Sequence, residues 1–158
     1  MKTPQLIKTD LDEKIAELVG KTEGRTLAVW ACDCAERVLP YFEKAYPEDD
    51  RPRLAIEAGR AWVRTGVFRM ADARKASLDA HAAARAVVED KAARSAARAA
   101  GQAVATAHVP THSIAAAIYA ATAVRDATDS SDADIAPTRE REWQYQRLLE
   151  LRGPDSIS

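Results

Sequence analysis

The chain has 158 residues and a mass of 17.2 kDa, with 47% hydrophobic and 30% charged residues and a mean hydropathy of -0.34; these values exclude a disordered tail and a membrane protein and suit a single domain over residues 1–158. Its 23 basic and 24 acidic residues leave a formal net charge of -1, which argues against broad attraction to nucleic acid or anionic lipid. The two cysteines, Cys32 and Cys34, cannot pair on one helix, where residues two apart point about 200° away from each other, so a reducing cytoplasm is the expected home.

Roughly a fifth of the residues are alanine, the strongest helix former, and no stretch of strand length alternates Val, Ile or Thr with polar residues. The expected class is all-α, with about six to seven helices. The opening MKTPQLIKTD lacks a continuous apolar signal core, and no run approaches the ~18 apolar residues of a membrane span.

A first helix is predicted over Thr9 to Gly20, capped by Thr9 or Asp10, with Leu11, Ile15, Leu18 and Val19 on one side. Gly24 marks a break. The second helix runs from about Thr26 to Tyr46 and sets Leu27, Trp30, Ala31, Cys34, Val38 and Phe42 opposite Asp33, Glu36, Arg37 and Lys44. Pro40 lies inside it and predicts a kink or a restart, because it removes one backbone hydrogen bond. The segment PEDDRPR is a turn in which Asp49 or Asp50 caps a third helix, Pro52 to Arg64. There Arg53, Glu57, Arg60 and Arg64 make one narrow polar stripe, which predicts burial on the other sides and a central position, with Trp62 in the core.

Gly66 ends that helix. An alanine-rich stretch from Met70 to His108 follows, divided near Glu89 and Asp90, with Asp90 capping the second half. Met70, Ala73, Ser77, Ala80, Ala84 and Val87 form a seam of mostly small residues, and Ala92, Ala96, Ala99 and Ala103 let helix axes approach near the short end of the ~8–10 Å range. After Pro110 the next helix is predicted over Thr111 to Ala127, with Ile114, Ala117, Ile118 and Ala121 in the core. The acidic loop DATDSSDADIAPT leads to a last helix, Thr138 to Leu151, docked by Trp143, Tyr145, Leu148 and Leu149. GPDSIS reads as a frayed end. This cadence suits a closed bundle or a solenoid-like stack of helix hairpins.

Chemistry is sparse. His108 and His112 stand four apart, but Pro110 between them spoils a shared helix face, and no third ligand has a recognisable spacing. His81 borders the small-residue seam, and Cys34 sits on an apolar face, where a free cysteine behaves as a small hydrophobe. The glycines form no phosphate loop. Asp126, Asp129, Asp132 and Asp134 crowd one loop but lack the ligand alternation, central Gly and terminal Glu of a calcium loop. Arg85, Arg94 and Arg98 make a basic strip without interleaved aromatics. No catalytic residue, cofactor or metal is expected. Two other readings stay open: a small helical enzyme using His81, His108 or His112 around a bundle cavity, and a helical subunit of a nucleic-acid complex.

The run WACDCAERVLPYFEKAYPEDDRPRLAIEAGRAW, followed by HAAAR and AARAAGQAVATAHV, resembles the immunity-protein family of bacterial polymorphic toxin systems over about residues 26–125. Its most specific part is the CAE, VLP and FE helix joined by DDRPR to AIEA and RAW. The resemblance implies an all-helical intracellular protein that binds and neutralises a toxin by steric occlusion, and it supplies no catalytic residues; charge and composition give no nucleic-acid or membrane partner to expect. Near-neutral charge argues against a basic nuclease as that toxin. The expected partner contacts are Asp49, Asp50 and Arg51 of the turn and Asp129 and Asp132 of the acidic loop; Asp49, Asp50 and Arg51 also suit N-capping and ion pairing at the helix start.

Overall fold

The structure, a computed structural model, describes residues 6–129 and 131–154. Residues 155–158 of the end expected to fray lie outside them, as do the first five residues of the opening segment. Among the described residues, seven helices follow in chain order: α1 (Asp12–Gly20), α2 (Gly24–Ala45), α3 (Arg51–Thr65), α4 (Met70–Ala86), α5 (Lys91–Ala105), α6 (His112–Ala127) and α7 (Ile135–Arg152). None is long and apolar enough to cross a membrane. Because α2 touches α5, α6 and α7 as well as α3, the helices close into a bundle; a solenoid would bring together only neighbours in the chain.

Alanine decides which helix is central. Ten residues of α5 are buried, among them Ala93, Ala96, Ala97, Ala100 and Ala103, and α2, α3, α4 and α6 all pack on it. A methyl group lets the surrounding helices come close on every side. The side chain of Asp90 accepts from the Ala93 N–H at 2.9 Å and caps this helix as expected, while Glu89 takes φ +68° in the turn that divides α4 from α5.

The central position predicted for α3 is corrected. Only Pro52, Ala55, Ile56 and Gly59 of α3 are buried, Leu54 faces solvent and Trp62 is half-buried. Its charged stripe does not point into water alone: Arg60 reaches Asp33 and Glu36 of α2 at 3.0 and 2.9 Å, and Arg53 pairs with Glu43. The restart predicted at Pro40 is absent too, since α2 runs through it and keeps Pro40 on the exposed face.

From α2 onward the helices alternate in direction, so their connectors fall at two ends. At one end Arg25 Nε donates to the Val63 carbonyl and Arg152 to the Lys21 carbonyl; at the other the Val88 N–H donates to the Tyr46 hydroxyl. The connectors 46–50, 87–90 and 128–134 of that second end hold Glu48, Asp49, Asp50, Glu89, Asp90, Asp129, Asp132 and Asp134 and no basic residue. A net charge near zero thus conceals an acidic end.

Candidate functional site

At the opposite end, Gly66 closes α3 at φ +71°, its N–H on the Trp62 carbonyl at 2.8 Å. Glycine takes this left-handed conformation without steric cost, and the turn brings Phe68 back over the last turn of α3. Phe68 meets Trp62 edge-on, with centroids 6.5 Å apart at 75°, and stacks on His108 at 6.1 Å and 6°. This aromatic row stands between α3, α4 and the segment after α5.

Two adjoining clefts open there and share Ala73. One, of about 230 Å³, is lined by Met70, Arg74, Ser77, Leu78, Ala105, His108 and His112. The other, of about 270 Å³, lies among Ala58, Trp62, Val67, Phe68, Arg69, Asp72 and Val104. Val67, Met70 and Leu78 remain 61%, 51% and 56% exposed. Isolated apolar residues on a surface are ordinary, but a contiguous group beside a groove marks a binding surface.

Two of the polar side chains that line the first cleft, Ser77 and His112, are engaged within the fold. Ser77 donates its hydroxyl to the Gly101 carbonyl at 2.9 Å, and His112 Nδ1 bonds Gln102 Oε1 at 2.7 Å, so these two groups are not paired with each other as a nucleophile and its base would be. His81 Nδ1 lies 2.9 Å from an Arg98 nitrogen. A guanidinium only donates, so Nδ1 accepts and the ring is neutral with its proton on Nε2. Burial, then the positive charges of Arg98 and Arg85, push His81 down to about 4. The free thiols lie in the core: burial pushes Cys32 up to about 12 and Cys34 well above its ordinary value. Among the described residues, no group of three or more His, Cys, Asp or Glu could hold a metal ion.

The partner residues expected from sequence lie at the acidic end. Asp49 accepts from the Arg51 N–H and from its guanidinium at 2.9 and 2.7 Å; this pairing holds Asp49 below the usual carboxylate range. Asp50 occupies the N-cap position of α3 without a side-chain cap bond. Asp129 and Asp132 are exposed and joined by a backbone turn, the Asp132 N–H on the Asp129 carbonyl at 2.9 Å. The fold therefore sets both segments at one end of the bundle. Sequence reasoning missed the groove, although Val67 and Phe68 in the short connector after Gly66 were a legible signal, being large apolar residues in a turn.

Fold and groove together define an all-helical bundle with an apolar cleft on its side and end. The chain belongs to the family described as Imm-5 like putative immunity protein, whose model matches residues 17–151. That span reaches from within α1 to the last turn of α7, wider than the segment that carried the resemblance. Comparison with curated proteins and with solved structures finds no match.

Proposed function

We propose that this protein neutralises a bacterial toxin in the cytoplasm by binding it directly, without catalysing a reaction. Family membership supports a toxin partner. The observation that carries direct binding is the exposed row of Val67, Phe68, Met70 and Leu78 along adjoining clefts. Interface affinity concentrates in aromatic and apolar anchors ringed by polar groups, with arginine prominent among the anchors, and the groove offers both. The acidic end, with Asp49, Asp50, Arg51, Asp129 and Asp132, is a second contact surface in this reading, suited to a basic region of the same toxin.

The test is co-expression with toxins encoded beside it. Growth rescue together with a stoichiometric complex on size exclusion is the expected result. Full toxicity and no complex, with both proteins folded, would count against it.

A further inference from the structure

We infer that the groove between α3, α4 and the segment after α5 receives a partner segment whose apolar side chains are flanked by carboxylates. Naming that partner as the toxin rests on the toxin-binding reading; the chemistry of the segment does not.

The apolar half of the argument is the exposure of Val67, Met70 and Leu78 beside clefts large enough for side chains. The charged half comes from what lines them. Arg69 and Arg74 stand at the groove with a single carboxylate, Asp72, and the cleft beneath Met70 has no acidic lining residue. Several arginines away from the groove are held by carboxylates, among them Arg37 by Glu140, Arg53 by Glu43, and Arg60 by Asp33 and Glu36. Among the described residues neither Arg69 nor Arg74 has an ion pair or hydrogen bond from its side chain. The 17-residue α4 begins beside them with no side-chain cap, which adds the positive end of its dipole. A segment bringing aspartate or glutamate beside its apolar anchors would pair both arginines, whereas lysine there would be repelled. The acidic end of a second copy meets the charge requirement but not the apolar one, since among the described residues its exposed large hydrophobics, Leu54, Val88 and Ile135, lie on three separate elements and form no single segment.

The experiment titrates the full isotope-labelled chain with two synthetic amphipathic helical peptides sharing a Leu/Phe stripe, one flanked by Glu and one by Lys, while amide shifts are followed. The Glu peptide should bind about threefold to tenfold tighter, as expected for two exposed charge pairs, with shifts on residues 62–78 and 104–112. Arg69→Glu with Arg74→Glu should reverse the preference. Met70→Asp with Leu78→Asp should abolish binding of both peptides while leaving the circular dichroism spectrum intact, both side chains being more than half exposed. Absence of binding, equal affinities, shifts at the acidic end, or self-association through the groove in sedimentation would each overturn the inference. Failure of the two ideas is separable. If the chain still neutralises its toxin with Leu78→Asp but not with Asp129→Lys and Asp132→Lys, the groove is wrong and toxin binding stands. If the peptides behave as expected and no toxin binds, the groove stands and the toxin reading falls.

Discussion

Arg141 of α7 donates to Asp12 of α1 at 2.9 Å, joining the first and last helices across 129 residues of sequence. The arginine is 1% exposed, and a second guanidinium nitrogen donates to Gln144 Oε1, whose amide in turn donates to the Ala117 carbonyl of α6. Asp12→Ala would leave a buried charge without its counterion. Because Asp12 is partly open to solvent, the expected loss is about 2 kcal/mol, below the 3–5 typical of a fully buried pair. Arg141→Met removes the charge itself and should cost less. Denaturant midpoints decide; a loss under about 0.5 kcal/mol for Asp12→Ala would show that water replaces the carboxylate.

Stability should depend on pH through His81. Its folded value of about 4 lies below the 6.5 of the free side chain, so between these values the unfolded chain holds more protons, and stability falls as pH drops through the window. The slope should be about 1 kcal/mol per pH unit after allowance for partial exposure. His81→Gln should flatten it; an unchanged slope in that variant would refute the assignment. Below pH 4 a further loss is expected from Asp12. Burial raises its affinity for a proton, but hydrogen bonds from Thr9 and Arg141 outweigh this and hold it low.

Gly101 is required by its neighbour. A Cβ there would lie 2.8 Å from His81 Nε2, on a ring fixed by Arg98. Gly101→Ala gains about 1 kcal/mol of helix propensity, yet overpacking costs about 1–3 kcal/mol, so net destabilisation is expected. Adding His81→Ala should reverse the sign. A double-mutant cycle showing no coupling would exclude the clash.

Neither thiol should react in the folded protein. Cys32 Sγ rests against the Ile56 carbonyl at 3.8 Å, and both cysteines are fully buried, so labelling by an aromatic disulfide reagent should proceed only through unfolding. Labelling that outpaces global unfolding would reveal local opening of α2.

Local signals in the sequence were reliable. Asp90 caps α5 because an aspartate oxygen needs only the N–H three residues on, and the division of the alanine-rich stretch followed from it. Long-range signals were weaker. The polar stripe on α3 implied burial elsewhere, but α3 lies at the edge, and periodicity does not tell which apolar faces a neighbour covers. Trp143, expected to dock α7, packs half-buried against the core and lies beneath the Arg37 guanidinium, 3.9 Å from the ring centroid. On the same helix Glu140, Arg141 and Gln144 are buried, each paired with partners far away in sequence, which no local pattern announces. Met70, expected in the seam, lies exposed at the groove.

The alanine axis of α5 also sets how the molecule pays for order. A leucine or methionine loses about 0.5–2 kcal/mol of rotamer entropy on burial, whereas alanine has no rotamers to lose. At Ala93, Ala96, Ala97, Ala100 and Ala103 folding therefore restricts backbone alone. Those five side chains have no rotamers to freeze on folding and none to regain when the chain is warmed; that cost falls on the larger residues packed around them, such as Trp30 and Phe42.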